Sequence, residues 1–191
     1  MKLTKSDQKF LLYLSRSALE HVFKTGKELQ PNDSEISKKL KEKRATFVTL
    51  TKDAMLRGCI GKLLPQKELY KDVVENTYSA AFADPRFPQL TKDELRQISI
   101  EISVLDIPKK LKYKDAKDLV AKLEKEKPGV IIQHGLYSAT FLPQVWDDLK
   151  TPKEFLSNLC QKAALPPETW QKEKLEIQTY KVIKFKEKQN E

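Results

Sequence analysis

Glycine, cysteine, histidine and arginine are all scarce in this 191-residue chain, which has five glycines, two cysteines and two histidines. No glycine-rich phosphate loop, GxSxG elbow or HExxH motif is present, so the common nucleotide-binding, hydrolase and zinc-protease signatures are excluded. Cys59 and Cys160 have no CxxC neighbour and no histidine at ligand spacing, so neither a metal site nor a resident cofactor is expected. No apolar run is long enough to span a bilayer, which argues against a membrane protein. The opening MKLTKSDQKF lacks the apolar segment of a secretory leader. The expected location is the cytoplasm, where both thiols stay reduced; a single Cys59–Cys160 disulfide is the alternative.

Positive charge is abundant. The formal net charge is +9 and the pI about 9.3. A basic chain invites a nucleic-acid reading. Yet only five of the 36 basic residues are arginine. The lysines are scattered, without an arginine cluster or aromatics set between basic residues, and read as a solvated surface.

Apolar spacing predicts a helix over 5–24, with Phe10, Leu14, Ala18 and Val22 every fourth residue, Thr4 and Asp7 at cap spacing, and Gly26 as the stop. A polar stretch follows, with a short helix near Ile36 and Leu40. Residues 45–51 and 55–60 read as a hairpin around Lys52-Asp53-Ala54. A helix over about 66–83 ends at DPRFP. TKDELRQ, with Thr91 and Glu94 in a capping-box pattern, makes a short helix. ISIEISVL at 98–105 alternates cleanly, as a half-buried strand does. A helix at 115–126, a hairpin turning at His134-Gly135, a helix at 152–164 opened by Thr151 and Pro152, and one final strand over 174–186 complete the chain. The order of elements, without a regular βαβ rhythm, predicts an α+β fold with mainly antiparallel sheet and flanking helices.

Two of the five glycines and one cysteine sit together in MLRGCIG, residues 55–61. In an extended strand Arg57 and Cys59 share a face, and a fixed positive charge beside a thiol favours the thiolate. Gly58 and Gly61 remove bulk and admit a backbone or ligand. One reading is a nucleophilic Cys59, or an anion pocket centred on Arg57 with Cys59 in its wall. The other is a structural hairpin in which Arg57 pairs with a carboxylate and Cys59 packs as a small apolar residue. In DPRFP, Asp84 is expected to cap or to pair with Arg86 or another basic residue, and Phe87 to pack as a lid; a rigid helix-ending turn is the plainer reading. His21, His134, Cys160, Trp146 and Trp170 read first as surface or packing residues.

LRGCIG at 56–61, AAFADPRFPQLTKDEL at 80–95, EISVL at 101–105, FLPQV at 141–145 and FLSNLCQKAALPPETW at 155–170 resemble the AMMECR family, named after a human chromosomal region linked to Alport syndrome. The resemblance runs from the first helix to the last strand and treats residues 1–191 as one domain. It implies a larger lobe from both chain ends, a smaller one from the middle (roughly 106–150), and a cleft between them. Matching positions are Leu56 to Gly61, Asp84 to Pro88, and Cys160. The chain departs from the family at Ala54, where relatives often carry glycine, at Ser138-Ala139, and after FLPQV, where a Gly-Trp is missing. His134 has no counterpart.

Family members occur beside, or fused to, Memo-like and radical-SAM proteins, which implies a shared modification or small-molecule pathway. This chain lacks the CxxxCxxC iron–sulfur spacing, so radical chemistry would be a partner's. The resulting expectation is an enzyme, or the substrate-binding component of one, for a small anionic molecule. Cys59 is its candidate catalytic residue, and Arg57, Gly58, Gly61, Asp84, Arg86 and Phe87 are its candidate binding residues. The alternatives are a non-catalytic interaction module and, more weakly, a nucleic-acid binder.

Overall fold

A computed structural model describes residues 2–187. The chain divides into two compact units, one formed by the residues up to Asp106 together with those from Ile183 onward, the other by Ile107–Val182.

The first unit opens with α1 (Lys5–Thr25). The Thr4 hydroxyl accepts from the Asp7 amide at 3.1 Å, and the Asp7 carboxylate accepts from the Thr4 amide at 2.8 Å, a reciprocal box that satisfies two orphan donors. Gly26, left-handed at φ 72°, closes the helix by donating its amide hydrogen bond to the Val22 carbonyl. Two short 3-10 turns, Asp33–Glu35 and Lys38–Lys41, replace the expected short helix.

β1 (Ala45–Lys52) and β2 (Met55–Gly61) form the expected hairpin. Its two turn residues, Asp53 and Ala54, are left-handed at φ 51° and 63°. That is the turn geometry that matches strand twist. Alanine in this region costs about 1 kcal/mol, which is why glycine suits the position. α2 (Leu69–Phe82) packs across both strands, and β3 (Ile98–Leu105) pairs antiparallel with β1.

With β8 (Val182–Lys186) the sheet order is β2-β1-β3-β8, so β2 is an edge. Fully buried Leu50, Ile100, Ile102 and Tyr70 centre the core. Each fully buried aliphatic side chain contributes about 2 kcal/mol. Beneath α2 the buried Asp72 carboxylate accepts from the Thr46 amide and hydroxyl through Oδ2, while Oδ1 has no partner among the described residues. Burial pushes this carboxyl's pKa up.

The second unit holds β4 (Lys109–Lys110), α3 (Ala116–Glu126), β5 (Gly129–His134), β6 (Tyr137–Phe141), α4 (Pro152–Lys162), α5 (Thr169–Lys172) and β7 (Glu176–Tyr180). Its sheet order is β4-β7-β5-β6. Trp146 stacks on Phe155 with centroids 3.8 Å apart, against fully buried Cys160 and Leu119. The fold is therefore α+β, with two four-stranded antiparallel sheets.

Two expectations need correction. The β5–β6 turn is Gly135-Leu136 rather than His134-Gly135, because His134 already pairs with Tyr137. The single strand expected over 174–186 is two strands. β7 joins the second sheet and β8 the first, broken at Lys181. Leu175 and Ile177 pack in one core, Ile183 and Phe185 against the other.

Candidate functional site

The signature strand β2 is positioned by glycine. A Cβ on Gly58 would lie 2.1 Å from the Ala80 carbonyl oxygen, so β2 and α2 approach main chain to main chain. A Cβ on Gly61 would lie 2.3 Å from both the Phe47 ring and the Thr46 carbonyl oxygen. These glycines serve the protein's own packing, and neither opens onto free space.

The side chains that follow do not alternate simply. Leu50 pairs with Gly58 but Thr51 pairs with Leu56, so Arg57 is the extra residue of a bulge. Bulges re-aim side chains and break the two-residue period. The Arg57 guanidinium goes to Glu94, with Nε and Nη2 donating to the two carboxylate oxygens at 2.9 Å each, and Nη2 also donating to the Gln89 carbonyl at 3.3 Å. Only 10% of the Arg57 side chain is exposed, and its buried Nη1 has no partner among the described residues. The Arg57 hydrogen bonds, with help from the Thr91 amide, pull the Glu94 carboxyl down to about 2. Thr91 donates to the Glu94 carboxylate through both its amide and its hydroxyl, which is only half of the expected capping box, because the turn starts after Lys92 with no side-chain cap. Glu94's second role, as Arg57's counter-ion, is not legible in that spacing.

Cys59 lies on the other side of the bulge. Its Sγ is 3.1 Å from the hydroxyl of its cross-strand neighbour Thr49. Its main-chain groups point outward, away from β1, where an edge strand would leave them open. The Asp84 carboxylate accepts from the Cys59 amide at 2.8 Å, and Arg86 Nη2 donates to the Cys59 carbonyl at 2.9 Å. Asp84 also accepts from Arg86 Nε at 2.9 Å and Nη2 at 2.7 Å. DPRFP thus stands in for a missing neighbour strand at this edge.

Asp84 is 4% exposed. The Arg86 hydrogen bonds hold its carboxyl far below the usual carboxylate range, and the Cys59 and Arg86 amides add to the effect. The Arg86 guanidinium is raised in turn by its hydrogen bonds to Asp84. Half of the Arg86 side chain is exposed, and its guanidinium lies 5.5 Å from the centroid of half-buried Phe87.

The structure therefore brings together Cys59, Asp84, Arg86 and Phe87, and adds Thr49. Among the described residues Arg57 shares no hydrogen-bond partner with Cys59; the guanidinium bonded to Cys59, through its main-chain carbonyl, belongs to Arg86. Strict strand alternation pointed to Arg57 because a bulge leaves no mark in the residue pattern. Cys160, the other family-matched cysteine, is fully buried in α4. His134 pairs with Glu173 at 2.7 Å on the surface of the second unit.

Among the described residues no cluster of three histidine, cysteine or acidic side chains fits a metal ion, and no helix is long and apolar enough to cross a membrane.

Comparison with known proteins covers nearly the whole chain. The family model described as AMMECR1 matches residues 12–185. A protein of Methanopyrus kandleri is 41% identical over 198 residues, spanning 100% of this chain and 93% of the relative. One from Methanosarcina mazei is 36% identical, spanning 98% and 94%. The crystal structure of an uncharacterized protein from Pyrococcus horikoshii superposes with a TM-score of 0.80 at 34% identity, covering 94% of this chain and 90% of that one.

Proposed function

The chain belongs to the AMMECR1 family, and on that footing we propose that it is an enzyme, or the substrate-binding component of one, acting on a small anionic molecule at Cys59. The observation that carries the reading is the half-exposed Arg86 guanidinium, held at Cys59 by a 2.9 Å bond from Nη2 to the Cys59 carbonyl. Arg86 commits Nε and Nη2 to Asp84 and the Cys59 carbonyl, which among the described residues leaves Nη1 for an anion. Arg57, buried and matched by Glu94, supports the strand instead of holding ligand. Cys59 is nucleophile or wall, and Phe87 shields the guanidinium. The family's association with Memo-like and radical-SAM proteins supports a shared pathway, in which any radical step is the partner's.

The test is Cys59→Ser and Cys59→Ala in a deletion strain, scored by metabolite comparison with the parent. The deletion should accumulate or lose an anionic metabolite. Neither variant should restore the parent's profile if the thiol reacts; both should restore it if the thiol only lines the wall. Arg86→Gln should fail to restore it in either case, and full rescue by Arg86→Gln sinks the reading.

A second reading, a non-catalytic interaction module, is favoured by the tip of the signature hairpin, where Met55 is 69% and Leu56 44% exposed. Met55→Ser with Leu56→Ser should then abolish co-purification with a Memo-like or radical-SAM protein, while Cys59→Ala leaves it intact.

A further inference from the structure

A groove of about 1200 Å³ lies within the first unit, between α1 and residues 92–99. Its floor is apolar, made by buried Ile98 and half-buried Leu12, Phe23 and Leu95. Arg16 crosses the floor, donating to the Leu95 and Ile98 carbonyls and to both Glu187 carboxylate oxygens, so this cation is used internally. The rim differs. Lys9, Lys24, Lys92 and Arg96 are all exposed, and none of their side chains has a hydrogen bond or ion pair among the described residues. Among the described residues that line the groove, the carboxylates are Glu187, bonded to Arg16, and Glu20 on the rim.

The spread of these cations decides what fits. Lys9 and Lys24 sit at opposite ends of α1's exposed stripe, about 22 Å apart at the rise of an α-helix. A single phosphate or carboxylate reaches one or two of them, never all four. The volume also exceeds the roughly 300–1,000 Å³ of ordinary small-molecule pockets. The occupant is elongated, carries several negative charges along its length, and presents apolar side chains to the floor. Nucleic acid fits less well. The floor's one aromatic ring, Phe23, is already packed edge-on against Phe82 at 5.6 Å and is not a platform for a base. Only one of the four free cations is arginine, whereas a phosphate backbone favours the guanidinium fork.

We propose that this groove docks an acidic, amphipathic peptide segment of a partner protein. Charge complementarity along the rim selects and orients the segment, and the apolar floor holds it. The site is independent of the role given to Cys59. The 3-10 turn that carries Arg96, Asp93–Arg96, also carries Glu94, so a docked segment lies against the turn that holds Arg57.

The experiment uses the full chain and a fluorescein-labelled peptide of about 16 glutamate and leucine residues, long enough as a helix to span the rim. Fluorescence anisotropy at low salt reads binding. Lys92→Glu with Arg96→Glu should weaken it by roughly tenfold or more. Lys117→Glu with Lys125→Glu, the same change in net charge placed on the second unit, should leave it within about twofold. A peptide with serine for leucine should bind several-fold more weakly. Equal loss in both double variants, no binding of the peptide, or tighter binding of a single-stranded RNA through the same Lys92 and Arg96 would overturn the proposal.

Discussion

Replacing Gly58 by alanine tests how β2 is seated. The added Cβ would stand 2.1 Å from the Ala80 carbonyl oxygen and 3.1 Å from its carbon, where ordinary contact begins near 3.4 Å. Relief therefore needs about 1.3 Å of separation between two main-chain segments. Neither gives easily, because α2 is packed on β1 as well, and β2 is tied by Asp84 at its outer edge. Overpacking costs about 1–3 kcal/mol, and an obstacle that cannot change rotamer belongs at the top of that range. At about 3 kcal/mol the expected fall in Tm is about 6 °C or more.

The assay is thermal and urea unfolding followed by far-UV circular dichroism. Tryptophan fluorescence does not serve, because Trp146 and Trp170 both belong to the second unit. Gly26→Ala is the control. A Cβ there meets nothing within 4 Å, and its φ of 72° adds only left-handed strain, about 1 kcal/mol. If Gly58→Ala loses no more stability than Gly26→Ala, close approach is not what this glycine is for.

Glu94→Gln should cost about 2 kcal/mol at neutral pH, since it leaves a buried guanidinium without its counter-charge. The folded state holds the Glu94 carboxyl at about 2, below its ordinary 4.5, so its contribution is present above 4.5 and is lost as pH falls toward 2. The variant's stability should decline less steeply across that window; an unchanged acid limb would count against the pairing. Iodoacetamide should add one label to the native chain, at Cys59. Cys160 is fully buried, with its thiol pushed up by desolvation, and should react only in denaturant. Mass spectrometry of the native adduct decides it, and label on Cys160 would refute the packing of α4.

Local physics was written in the residues themselves. Thr4, Asp7 and Gly26 announce both ends of α1, and the alternation of ISIEISVL declares β3 and its buried face. Thr151 and Pro152 open α4 as their spacing says, and a hairpin around Asp53-Ala54 follows from strand signals on either side. Each is a decision among neighbours a few residues apart, where propensity and period dominate. The rest depends on groups far apart in the chain. Residues 174–186 read as one strand because β7 and β8 have the same parity, but the two halves complete different sheets, and no short window of sequence holds both partners. The bulge at Arg57, its bond to Glu94 and the placing of Arg86 beside Cys59 likewise arise when β2 meets α2 and the DPRFP turn. Local pattern sets which face of an element is apolar; only packing decides which cation reaches Cys59, because that choice is made between surfaces the chain brings together after its elements exist.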